Sequence, residues 1–232
     1  LGVYADRTKD PFDDPKVEII TSLAKRKLGM AVGVVTNTEI EDATPASMIA
    51  HTRRRAEYNR IVEQMFEMQP DVIMGGGSAN FIPKSSEGSK RTDDQDFMAK
   101  FKGAGYALAA NATDLTKVNG DPATKRLLGL FNTGNMDGAL DRKFLKGGSV
   151  KKFPDQPDLT QQVSTAINIL SKNPKGFVLM VESGLIDKYT HALDMDRAVY
   201  DTILLDNAVA VARDWAKSHG NNTLILVVPA DG

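Results

Sequence analysis

The sequence predicts an α/β fold with a largely parallel central sheet and helices on both faces. Two observations predict it: short apolar, β-branched runs alternate with longer amphipathic stretches, and polar or glycine-rich turns follow several of those runs. In order along the chain, Val17 to Lys27 reads as a helix whose basic end suits its dipole. Met30 to Thr36 (MAVGVVT) reads as a buried strand. Pro45 to about Met68 reads as one long helix, with proline in the first turn where its missing N–H costs nothing. Val72 to Met74 is a strand that runs into Gly75, Gly76 and Gly77.

Asp96 to Lys102 is expected to be helical and Tyr106 to Ala109 extended. Arg126 to Phe131 suggests another strand, and Phe131 to Asp158, rich in Gly, Asn, Asp and Lys, reads as a long surface excursion. Asp158 is expected to cap a helix from Leu159 to Lys172, with Gln161 and Gln162 close to the reciprocal position. Gly176 to Glu182 (GFVLMVE) is the clearest strand. Arg197 to Lys217 is a helix whose stripe Leu204, Ala208, Val211 and Trp215 marks a buried face. Thr223 to Val228 (TLILVV) reads as a final strand, and Ser85 to Asp96 as a mobile loop.

Composition narrows the function classes. A chain of 232 residues can bury a sizeable core, and 41% apolar with 25% charged residues is ordinary for a globular protein. A net charge of −1 leaves no basic excess for a nucleic-acid surface. No apolar run reaches the ~18 residues of a membrane span. Zero cysteines exclude disulfides, thiolate metal sites and cysteine nucleophiles. The start at Leu1 and the stop just after an apolar run read as cuts, so residues 1–232 are expected to form a single α/β domain truncated at both ends.

In a parallel sheet, ligands gather at the carboxyl ends of strands. Glu182-Ser-Gly-Leu-Ile-Asp187-Lys-Tyr-Thr-His191 begins at such an end. A helical turn would bring Asp187 and His191, four apart, to one face, and a carboxylate with an imidazole suits zinc. Glu182 offers oxygen to a harder ion such as magnesium. A strand terminus with solvated polar residues fits the same spacing.

Glu41-Asp42-Ala43-Thr44-Pro45 precedes the long helix. Asp42 and Thr44 are both good N-caps, and a threonine hydroxyl there can also ligate a hard cation. One of Arg53, Arg54 and Arg55 on that helix could reach a phosphate with its forked donors. Asp231 follows the last apolar run, at a position equally suited to a metal ligand and to an Asp-Gly turn. Gly75 to Gly77 lacks both the P-loop continuation and the dinucleotide spacing and reads as a strand-end turn. His51 and His219 read as structural.

Together these segments resemble the alkaline phosphatase family. The resemblance rests on G33-V-V-T-N-T-E-I-E-D-A-T-P-A-S-M-I-A-H51, M74-G-G-G, V181-E-S-G-L-I-D-K-Y-T-H191 and L224-I-L-V-V-P-A-D231, in the family's order and spacing. It implies that Thr44 and Glu182 bind one Mg2+, that Asp187 and His191 supply one Zn2+ site, and that Asp231 contributes to a second. It implies that Arg55 clamps the substrate phosphate, while Asp42 and Lys188 orient the ligands, the arginine or water. The implied reaction is hydrolysis of a phosphate monoester through a phosphoserine intermediate.

The family's serine segment and its downstream zinc histidine are absent here, and Gly232 stands where the family has histidine. The chain alone is therefore expected to be inactive. Inorganic phosphate as a ligand, a homodimer and a periplasmic or extracellular location are further family expectations. The competing readings are a related phosphodiesterase or sulfatase-like metallohydrolase, disfavoured by Thr44 and Arg55, and a non-catalytic binding module.

Overall fold

The computed structural model describes residues 1–5 and 10–229. Its centre is a five-stranded parallel sheet of β1 (Ala31–Glu39), β2 (Val72–Gly76), β3 (Ala107–Ala109), β4 (Leu127–Leu130) and β5 (Phe177–Glu182), in the order β3-β4-β2-β1-β5. The helices are α1 (Ile20–Leu23, continued by a π turn Ala24–Leu28), α2 (Ala43–Ser47), α3 (Tyr58–Met68), α4 (Phe97–Gly103), α5 (Ala112–Gly120), α6 (Leu159–Leu170), α7 (Leu185–His191) and α8 (Met195–Ser218).

Strand alternation builds two cores. Val34, Ile73 and Leu128 lie in one row across β1, β2 and β4 and pack on Ile61, Val62 and Met65 of α3 and Phe97 and Phe101 of α4. On the other face Val35 pairs with Met74 and Val72 with Leu127, under Val163, Ala166 and Leu170 of α6 and Leu204 and Ala208 of α8. Each fully buried Leu or Phe contributes about 1.5–3 kcal/mol by leaving water. The expected two-faced α/β architecture is present.

Several elements match their sequence signals. Asp158 caps α6 in a capping box with Gln161, and Asp96 caps α4. The stripe of α8 is buried at Leu204 and Ala208, with Val211 and Trp215 packed against the same core. His219 ends α8, stacked on Trp215 with a ring nitrogen 2.8 Å from its carbonyl oxygen.

Other expectations are corrected. The helix from Pro45 to Met68 is two helices, α2 and α3, with a non-helical stretch at 48–57. Tertiary hydrogen bonds hold the break: the Thr52 amide donates to the Leu1 carbonyl, the Arg53 amide to Pro11, and the His51 amide to the Gln64 side chain. The three arginines therefore lie on that connection and not on a helix. The first helix starts at Ile20 rather than Val17.

The stretch 131–158 is not simply a surface excursion, because Phe131, Met136, Ala139 and Asp141 are buried. The loop from Ser85 to Asp96 is anchored at one buried residue. Arg91 is buried, donates to Asp93 and to the Asn80 carbonyl, and lies 4.5 Å above the Phe97 ring. Thr223 to Val228 forms no strand; Leu224 is 82% and Val228 75% exposed. The run has strand composition, but a strand needs a hydrogen-bonded neighbour, and among the described residues none pairs with it. α5 carried no sequence expectation, although Asn111 caps it by accepting from the Asp114 amide.

Candidate active site

The carboxyl ends of β1, β2 and β5 open on one edge of the sheet. Past β1, the chain turns through Ile40 and Glu41 into α2. Asp42 caps that helix, its carboxylate accepting from the Ala43 amide at 2.8 Å. Thr44 stands in the same first turn and Pro45 follows it. Past β5, Ser183 and Gly184 lead into α7, which carries Asp187, Lys188 and His191.

Asp42 joins the two segments. One carboxylate oxygen accepts from Lys188 Nζ at 2.8 Å, and the other from Arg55 Nη2 at 2.6 Å. Burial pushes the Asp42 carboxyl up, but the bonds from Lys188, Arg55 and the Ala43 amide outweigh it and bring it down to about 2. The same contact raises Arg55, already cationic at any working pH. Tyr58 places its hydroxyl 3.4 Å from Asp42 and is itself raised, chiefly by burial and then by the Asp42 charge. Arg55, Lys188 and Asp42 thus meet although they are far apart in sequence. Sequence reasoning missed Tyr58, whose place at the start of α3 gave no signal.

Asp187 and His191 do share one face of α7, with Nε2 of the imidazole 3.2 Å from the carboxylate. Both are solvent-accessible, His191 at 79%. Their adjacent nitrogen and oxygen donors fit two of the four positions around a zinc ion. Glu182 is held from β1: Thr36, its register partner, donates to Oε2 at 2.6 Å, and Thr38 lies 3.3 Å from the same oxygen. A hydroxyl-oriented carboxylate is the donor that a hard cation requires. Asp231, the expected further ligand, lies outside the described residues. Among the described residues no three His, Asp or Glu side chains gather tightly enough to hold an ion between them. The fit is therefore of donor type and pairwise placement.

The expected glycine turn is corrected: Gly75 and Gly76 belong to β2, and only Gly77 turns the chain out of the strand. Gly77 has φ +88, and a Cβ on Gly76 would run into the Gly134 carbonyl. Glu41, beneath this turn, is fully buried and accepts from Asn80; burial raises it well above the usual carboxylate range. His51 is structural, its Nδ1 2.7 Å from the Gly2 carbonyl oxygen.

The family model described as alkaline phosphatase matches residues 1–232. Alkaline phosphatase H of Pseudomonas aeruginosa (strain UCBPP-PA14) is 33% identical over 230 residues, covering 86% of this chain and 48% of that protein. The alkaline phosphatase of Escherichia coli (strain K12) gives the same identity and coverage. The crystal structure of Thermus thermophilus alkaline phosphatase superposes with a TM-score of 0.78 at 30% identity, over 89% of this chain and 40% of that one. A variant of TAB5 alkaline phosphatase with Mg bound in its M3 site superposes at 0.72 with 27% identity, over 89% of this chain and 53% of that one. The chain spans about half the length of the curated relatives that it matches.

Proposed function

This chain belongs to the alkaline phosphatase family, and from that premise we propose that the full-length protein carrying it hydrolyses phosphate monoesters. The observation that carries the reading is the meeting of Arg55 and Lys188 on the Asp42 carboxylate, beside the helix bearing Asp187 and His191. Arg55 commits Nη2 to Asp42 and keeps further donors of its planar fork for the phosphoryl oxygens. Lys188 adds a second positive charge on the opposite side of Asp42. Two cations held in advance by a carboxylate do not need to be ordered when an anionic substrate arrives.

Asp187 and His191, with Asp231, are the proposed zinc ligands, and Thr44 and Glu182 the proposed magnesium ligands. Bound there, such ions would polarise the phosphoryl group and activate an oxygen nucleophile. A serine outside this chain is the proposed phosphoryl acceptor, so these 232 residues alone are expected to be inactive. Family membership also supports two zinc ions and one magnesium ion per protomer, a homodimer, and a periplasmic or extracellular location.

The test uses the full-length protein and three aryl substrates: a phosphate monoester, a phosphate diester and a sulfate ester. Monoester turnover with competitive inhibition by inorganic phosphate supports the proposal. Preferred turnover of the diester or sulfate would replace it with a related metallohydrolase. Phosphate binding without turnover of any ester would replace it with a binding module.

A further inference from the structure

One buried polar cluster has no part in the chemistry above. Asn37, near the end of β1, is 4% exposed, and Asp201, on the inner face of α8, is 0% exposed. Asn37 Nδ2 donates to Asp201 Oδ1 at 3.2 Å, and Asn37 Oδ1 accepts the amide of Leu185, the first residue of α7, at 3.1 Å. Asp201 Oδ2 accepts the Ala139 amide at 3.2 Å. The Met136 amide donates to the Asn37 carbonyl at 3.1 Å. Next to Ala139, Gly138 is the point where Tyr189 of α7 and Asp201 converge, and a Cβ there would strike both side chains.

The pattern is directional. An asparagine between one donor and one acceptor uses both ends of its amide. A carboxylate between two donors uses both oxygens. Each partner is therefore specified by what faces it, and one chain of hydrogen bonds runs from α7 through β1 to α8 and the 136–139 segment. A buried network of this kind fixes one arrangement, because any alternative leaves a donor or acceptor without a partner. The element it fixes is the short α7, which carries Asp187, Lys188 and His191.

We infer that Asn37 and Asp201 are positioning residues that set the orientation of α7, and through it the zinc donors Asp187 and His191 and the phosphate-side cation Lys188. The inference rests on the proposed phosphatase reading for the role of those three side chains. The latch itself does not.

The test is a reciprocal exchange in the full-length protein. Asp201→Asn places an amide between two donors and leaves one of them unsatisfied. Asn37→Asp sets two carboxylates against each other. The double variant Asn37→Asp/Asp201→Asn restores the bonds to Leu185, to Ala139 and between the two side chains, the last with its polarity reversed: Asp at 37 accepts from Leu185 and from the new amide, whose oxygen accepts from Ala139.

Zinc affinity is measured by chelator competition at a temperature where each variant is folded by circular dichroism. Both single variants should weaken binding by about tenfold or more, and the double variant should recover to within about threefold of wild type. In metal-free protein, amide exchange across 185–191 should accelerate in both singles and slow again in the double. Wild-type zinc affinity and exchange in the singles, or no recovery in the double, would overturn the inference. A wild-type protein without monoesterase activity would instead sink the proposed function, while the exchange data would still judge the latch.

Discussion

Asp201 should leave a titration signature in the stability of the protein. It is fully buried, and burial pushes its carboxyl up to about 6 from 3.8, opposed by the Ala139 amide and the Arg142 cation and reinforced by Asp141. Tyr189, raised to about 12 mainly by its own burial and then by the Asp201 charge, stays neutral on the same side. A carboxyl whose folded value is raised is bound to its proton more tightly in the folded state than in the unfolded one. Its favourable contribution is therefore complete below about pH 3.8 and lost as pH rises to about 6. A shift of about two pH units at 1.36 kcal/mol each gives a loss of about 3 kcal/mol over that window. The assay is urea unfolding of metal-free wild type and Asp201→Asn between pH 4 and pH 8. The wild type should lose about 2 kcal/mol of that relative to the variant between pH 4 and about 7, with a constant difference above. A difference that stays flat within about 1 kcal/mol across the whole range would refute the reasoning, since it would mean that Asp201 ionises alike in both states.

Arg55→Ala should weaken inhibition by inorganic phosphate by about 10–100-fold, the loss of one charge-assisted contact, while metal content stays unchanged; inhibition constants and elemental analysis decide it. Asp187→Ala and His191→Ala should each remove bound zinc and lower monoester turnover by about 100-fold or more, and full zinc content in either variant takes that residue off the ligand set. Gly76→Ala should destabilise the fold by about 3 kcal/mol or more in chemical denaturation, because the added methyl meets the Gly134 backbone, which cannot rotate away as a side chain would.

The parts of the fold legible in the sequence are those set by local chemistry. Asp158 and Gln161 declare the start of α6 at a fixed spacing, and GFVLMVE followed by Ser-Gly declares β5 and its end. The Asp187–His191 pair was legible for the same reason: two residues four apart on one helix meet whatever surrounds them. The break between α2 and α3 was not legible. No glycine or proline marks 48–57, and the bonds that hold it come from Leu1 and Pro11, far away in sequence. Thr36 read only as the last residue of a strand, and Thr38 lay beyond its expected end; the pairing of β1 with β5 brings both to Glu182. Asp201 did carry a signal. It falls at helical spacing in the buried row Ala198, Leu204 and Ala208, and a lone acid in an apolar stripe requires a partner.

The site region is organised around a carboxylate that the sequence offered first as a helix cap. Asp42 accepts from its own helix, from a loop arginine and from a lysine on α7, so one residue ties three segments that the sheet only brings near one another. Its low pKa keeps the Asp42 carboxylate ionised far below neutral pH, so it remains an anionic acceptor for both side chains. The arrangement is asymmetric in exposure. The Arg55 side chain is 62% exposed and Lys188 36%, against 10% for Asp42. A buried anion with exposed cations in front of it turns positive groups toward solvent, and on the proposed reading these are the donors an arriving phosphate would meet. Tyr58 completes the back of Asp42 with a hydroxyl that remains protonated, since burial and the neighbouring carboxylate both raise it. The orientation of the cations is thus supplied from behind by groups that substrate need not touch, and an exchange at Asp42 should disturb phosphate binding more than one at either cation alone.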